Sequence, residues 1–185
     1  MRRSCLVFLL ALTACAGTTP RPSDAPSAGA ATDMTATKPA GNEATASSVE
    51  IPAHIAAVVQ APDRSEADRA LDGGRHPAEL LAYYRVEPGQ QVAELFAGGG
   101  YTAEMLARAV GPTGKVYGVN SPMILERFAE KPWSERLQKP VMANVVRLDR
   151  PFDDPFPAEL SGLDRVFSIL VYHDFVWMGT DREKM

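Results

Sequence analysis

Residues 92–106 read VAELFAGGGYTAEML, an apolar run that enters three consecutive glycines, Gly98, Gly99 and Gly100, and leaves as an amphipathic helical repeat. This stretch limits the fold more than any other in the chain. A strand has to turn into a helix there, and glycine supplies the unusual dihedrals of such a turn without a Cβ penalty. The bare backbone also lets a ligand lie against it, and the first N–H groups of the following helix lack intrahelical acceptors and attract electronegative atoms.

Downstream, strand and helix patterns alternate, which predicts a parallel sheet with helices on its faces and right-handed crossovers. The strands expected are Gln91–Phe96, Lys115–Val119, Ala143–Leu148 and Arg165–Val171, with helices over Thr102–Val110 and Pro122–Glu130. Upstream, Ile51 opens an apolar stretch through Val59 that Pro62 ends. The charged run DRSEADRALDGGR, Asp63–Arg75, reads as a surface helix and turn, with Gly73-Gly74 as helix breakers. Pro77 starts a short amphipathic helix that ends near Arg85, and Glu87-Pro88-Gly89 turns the chain into the first strand.

The amino-terminal third has a different character. Residues 1–15, MRRSCLVFLLALTAC, run from a basic start through an apolar stretch to small residues, the three-part pattern of an export leader, too short for the roughly 20 apolar residues of a membrane span. The end, Leu12-Thr13-Ala14-Cys15, resembles the lipobox of bacterial lipoproteins. That resemblance implies an acylated Cys15 as mature N-terminus and an anchor in the bacterial cell envelope, and Ala16 after it implies the periplasmic face of the outer membrane. Plain cleavage after Ala14 is the alternative. Residues 16–50 are rich in Ala, Thr, Pro and Ser and cannot bury enough surface to offset ordering entropy, so a disordered linker is expected before a domain at 51–185.

Composition narrows the partners. The formal charge is −4, and losing Arg2 and Arg3 with the leader removes two positive charges and leaves −6, which argues against nucleic acid. The two cysteines, Cys5 and Cys15, both lie in the leader, which excludes a disulfide scaffold and a thiolate zinc site. His54, His76 and His173 lack metal-ligand spacing.

The strand and turn of residues 92–106 resemble the glycine motif of class I S-adenosylmethionine (SAM)-dependent methyltransferases, an acid followed by three alternating glycines. Glu94 takes the acid position, Gly98 the second glycine and Gly100 the third, while Phe96 replaces the first. GPTGKVYGVN is similar to the family's second strand, but it ends in Asn120 where an acid commonly holds the ribose hydroxyls. Asp149 stands where members contact the adenine side, and LVYHDF, residues 170–175, is similar to a group of predicted bacterial methyltransferases. The resemblance implies a Rossmann-like α/β fold, sheet order 3-2-1-4 without the last strands. It also implies SAM as cofactor against Glu94, Phe96, Ala97, Gly98, Gly100, Tyr101, Asn120 and Asp149, and methyl transfer to an unidentified small-molecule acceptor. His173 and Asp174, just past the fourth strand, are the expected proton-removing pair. The bland alternative has His173 and Tyr172 capping the strand under the next helix. Trp133, Tyr101 and Trp177 are read as core residues, with a pocket lining as the alternative.

Two rival functions stay open. Gly98, Gly100 and Ala103 fit the dinucleotide fingerprint of NAD-binding oxidoreductases, which expects an acid about 20 residues on where Asn120 stands. A catalytically silent lipoprotein that uses the domain as a binding module is favoured by Phe96 and Asn120, and by the export of the chain away from cytoplasmic SAM. The fourth strand reads as apolar on both faces, and DREKM reads as the middle of a helix. The expectation is therefore a truncated gene product or a partner chain that covers the fourth strand.

Overall fold

A computed structural model describes residues 49–185; Cys15, the leader and the linker through Ser48 lie outside the described residues. The centre is a four-stranded parallel sheet, β1 (Gln91–Leu95), β2 (Lys115–Asn120), β3 (Val145–Asp149) and β4 (Arg165–Phe167), in the order β3-β2-β1-β4. This is the expected Rossmann-like sheet. β1 pairs with β2 over five residues, Gln91–Lys115 to Leu95–Val119, and with β4 over three, Val92–Arg165 to Glu94–Phe167. As one of the two inner strands it buries Val92, Ala93, Glu94 and Leu95, which is why its sequence runs apolar rather than alternating.

Three helices precede the sheet: α1 (Ala53–Gln60), α2 (Glu66–Arg75) and α3 (Pro77–Tyr83). The expected break at Gly73-Gly74 does not occur, and α2 runs through both glycines to Arg75. Each glycine costs roughly 1 kcal/mol in a helix interior, and ion pairs on the other face hold the helix. Ser65 caps its start by accepting the Asp68 N–H at 3.1 Å, and Asp72 takes two hydrogen bonds from Arg64. The helix ends at His76, whose φ of 45° is left-handed.

Helix α4 (Tyr101–Val110) follows the glycine turn and is buried along almost its whole length. After β2, the helical run is longer than the expected Pro122–Glu130. It comprises α5 (Pro122–Ile124), a widened π turn at Leu125–Ala129 and α6 (Glu130–Leu137). The widening has a local cause in Pro132, which lacks an N–H and whose ring would clash with the Phe128 carbonyl four residues back in a regular helix.

The fourth strand departs most from expectation. It covers Arg165–Phe167 rather than Arg165–Val171, and Leu170 takes a left-handed φ of 59° that ends any extended run. It is an edge strand, with Val166 49% and Leu170 66% exposed, so the apolar run is not buried on both faces. A short helix, α7 (Tyr172–Trp177), follows, and its Phe175 is fully buried.

Trp133 locks the helix after β2 onto the sheet. Its buried indole lies against the bare backbone of both Gly100 and Gly118, where a Cβ at Gly118 would sit 2.7 Å from the ring. Gly100 also needs a left-handed φ of 83°, whereas the space beside the Cβ position of Gly98 is open. Gly100→Ala is therefore expected to cost about 3 kcal/mol or more, from overpacking added to backbone strain, and Gly98→Ala about 1–2 kcal/mol, from strain alone. Urea unfolding monitored by Trp133 fluorescence checks that order; equal losses would show that the indole does not constrain Gly100.

Candidate functional site

At the carboxyl end of β1 the chain folds around a cleft of about 330 Å³. Glu94, Phe96, Ala97, Gly98, Gly99, Tyr101 and Thr102 form its sheet side. Asp68, Leu71 and Arg75 of α2, Pro132 and Arg136 of α6, and Ile169 and Val171 after β4 complete it. This is the edge at which open α/β sheets bind ligands.

Glu94 is the unusual group. It is 4% exposed, and its Oε2 has no hydrogen-bond partner. Burial pushes its pKa up to about 8, against the opposing pull of the Thr102 hydroxyl, the Arg75 charge and the Ala103 N–H. At neutral pH the free site therefore holds a protonated carboxyl.

The glycine turn itself is partly spent on the protein. Asn120 is fully buried, and its amide pairs with Gly98 in both directions, accepting the Gly98 N–H at 2.8 Å and donating to the Gly98 carbonyl at 3.1 Å. The Gly100 N–H donates to the Ala97 carbonyl at 2.8 Å, and the Ala97 N–H to the Val119 carbonyl at 3.0 Å. The first bond of α4 runs from the Glu104 N–H to the Gly100 carbonyl, so the N–H groups of Tyr101, Thr102 and Ala103 stay outside the helical ladder.

Phe96 adopts φ 65° although it carries a side chain. Such a conformation costs of order 1–2 kcal/mol for a residue with a Cβ. Aromatic contacts offset this: Phe96 stacks on Phe152 with centroids 5.3 Å apart and planes 9° apart, and meets Phe175 edge-on at 6.2 Å.

The residues expected at the site thus divide. Glu94, Phe96, Ala97, Gly98 and Tyr101 line the cleft. Gly100 closes the turn beneath Trp133 and does not line it. Asn120, expected against a ribose, has its amide on Gly98 and is not among the lining residues. Asp149 ends β3 in a salt bridge to Arg147 at 2.7 Å and also lies outside the lining. His173 and Asp174 sit in the first turn of α7, outside the lining, the histidine side chain 78% exposed and 3.4 Å from Asp174. Tyr172 and His173 are both exposed, so they do not form a buried cap under the next helix. Trp133 is core as expected, whereas Trp177 is 71% exposed.

Sequence reading missed the contribution of α2 and α6. Arg136 donates from Nε to the Gly99 carbonyl at 2.6 Å and forks onto Asp68 at 2.8 and 2.9 Å, which fixes the turn from outside. The Arg136 guanidinium holds the Asp68 carboxyl down at about 2. Tyr101 donates its hydroxyl to Asp72 at 2.6 Å, and its ring lies 4.8 Å from the Arg75 guanidinium. The spacing Asp68, Asp72, Arg75 places all three on one face of α2, and that spacing was the available signal.

No family model matches the chain, and no curated protein matches it. Solved structures do. It is similar to a protein-L-isoaspartate O-methyltransferase at 25% identity, over 49% of this chain and 28% of that one, with a TM-score of 0.41. A SAM-dependent methyltransferase from Aquifex aeolicus is similar at 20% identity, over 65% and 58% of the two chains, with a TM-score of 0.46. A SAM-dependent O-methyltransferase from Thermotoga maritima is similar at 23% identity, over 64% and 41%, with a TM-score of 0.41. The chain spans less than two thirds of each of these proteins.

Because the folded pKa of Glu94 lies above its unfolded value of 4.5, its contribution to stability is complete below about 4.5 and is lost as pH rises through about 8. The stability of the wild type should therefore fall relative to Glu94→Gln between pH 5 and pH 8, by up to about 1.4 kcal/mol per pH unit. Parallel denaturation curves at the two pH values test this; a constant gap between the two proteins would mean that Glu94 is ionised throughout.

Proposed function

We propose that the domain binds SAM in the cleft above β1 and serves as a SAM-dependent methyltransferase domain for a small-molecule acceptor. One observation carries the reading: a buried carboxyl with an unpaired oxygen lines the cleft beside the glycine turn. An orphaned buried acid of this kind costs free energy unless a ligand satisfies it, and an ammonium group does so best. The residues present fit such a ligand at that end. Glu94 would hold its ammonium group, and the N–H groups of Tyr101 and Thr102 at the start of α4, which lie outside the helical ladder, would receive its polar atoms. Bound SAM supplies the electrophilic methyl group. The chain's own part is to hold the ligand, to brace the turn through Arg136 and Asp68, and to keep water from Glu94.

A second reading has specific support. Asn120 is committed to Gly98, His173 and Asp174 are not among the lining residues, Asp68 is paired with Arg136 and Glu94 would meet the ammonium group, so no described residue lining the cleft is left as a general base. These facts favour a module that binds an adenosyl ligand without turning it over. In either case we propose an envelope lipoprotein anchored through Cys15, from the leader pattern alone.

Calorimetry of the chain with SAM and S-adenosylhomocysteine, beside a methyl-transfer assay, separates the readings. Binding should release a proton at pH 7, and affinity should rise toward pH 8 and then level off, because Glu94 must ionise to meet the ammonium group. Glu94→Gln should flatten that dependence. Heat without methyl transfer to any acceptor supports the silent module, and no heat with either ligand at high micromolar concentration removes both readings.

A further inference from the structure

Three arginines around α2 and α4 are committed to carboxylates. Arg64 pairs with Asp72 at 2.6 Å, Arg108 with Asp63 and Glu104 at 2.8 Å each, and Arg136 with Asp68 at 2.8 Å. Arg75 differs. Among the described residues it has no carboxylate within salt-bridge distance and makes no side-chain hydrogen bond, although it closes α2 and lines the cleft. Its guanidinium lies over the Tyr101 ring, 4.8 Å from the centroid, and the Tyr101 hydroxyl is fixed on Asp72 at 2.6 Å. Resting on a ring face, a guanidinium keeps its N–H edges free to donate.

The charged groups that line the cleft are Asp68, Arg75, Glu94 and Arg136. Asp68 and Arg136 satisfy each other, so Arg75 and Glu94 are the pair left uncommitted. One is a planar cation that takes carboxylates in bidentate fashion, and the other is an acid with an empty oxygen. We propose that Arg75 is a specificity-determining residue that receives the carboxylate of an α-amino-acid group while Glu94 receives its ammonium, so that the cleft reads a zwitterion. The inference rests on the reading of the cleft as an adenosyl-ligand site and adds a residue from outside the glycine motif. A ligand bearing only the ammonium group would leave Arg75 unanswered, and a polyanion would meet Glu94 unfavourably.

The test is calorimetry of the full chain and of Arg75→Gln with three probes: S-adenosylhomocysteine, its decarboxylated analogue, and 5′-methylthioadenosine, which lacks the whole amino-acid group. Arg75 has no structural partner except the Tyr101 ring, and unchanged thermal melting of the variant establishes that it folds. Arg75→Lys, which keeps the charge and loses the planar fork, should recover part of the effect. The wild type should prefer S-adenosylhomocysteine over its decarboxylated analogue by about tenfold or more, as one charge-assisted pair gives. Arg75→Gln should lose that preference while binding the decarboxylated analogue as well as the wild type does. Tight binding of the probes with the same preference in wild type and Arg75→Gln overturns the role of Arg75 and leaves the adenosyl site standing. Absence of heat from all three probes in the wild type overturns both.

Discussion

A carboxyl group buried near the end of β1 is the constraint around which the domain is arranged. Glu94 sits at the register position where β1 meets Phe167 of β4 on one side and Gly118 of β2 on the other. It is almost wholly buried, and the amino end of α4 and the cleft offer it polar company. A purely structural position there would carry an apolar residue, since burial of an unsatisfied acid opposes folding. The expense is understandable where a ligand completes the site.

The glycines around that acid have separate tasks. Gly98 hands its peptide groups to Asn120, so that β2 and the turn are stitched together by a side-chain amide. Gly100 and Gly118 give up side chains to make room for Trp133, which fastens the helix after β2 across the turn. Arg136, three residues on from Trp133 along the same helix, clamps the Gly99 carbonyl and Asp68 together. The turn is therefore stiff before any ligand arrives, and preorganisation of this kind lowers the ordering cost of binding.

Much of this was legible in the residues. The strand-to-helix handover of 92–106 follows from an apolar run, three glycines and a helical repeat, and the sheet order follows from the alternation after it. What escaped depended on contacts distant in sequence. Asn120 was expected to face a ribose because strand-end position does not reveal the direction of a side chain, and here its amide found Gly98, 22 residues back. The fourth strand is shorter than its apolar run predicts because such a run records burial or propensity, not pairing, and only three of its residues meet β1. The local cost of Gly73 and Gly74 predicts a break in α2, whereas contacts distant in sequence, Arg64 on Asp72 and Arg136 on Asp68, tie the helix to its surroundings. Position just past a strand end suggests His173 and Asp174 for the site, but it does not fix side-chain direction: Val171 lines the cleft, whereas His173, two residues on in the first turn of α7, is exposed.

The protonation state of Glu94 is the quantity closest to the centre of this account. Difference infrared spectroscopy of the full chain at pH 7, with Glu94→Gln as the reference, observes it without any assumption about turnover. A protonated carboxyl band assigned to Glu94 in the free protein, replaced by a carboxylate band when S-adenosylhomocysteine is added, is the expected result. An ionised Glu94 in the free protein, or a carboxyl band that ligand leaves untouched, would contradict it.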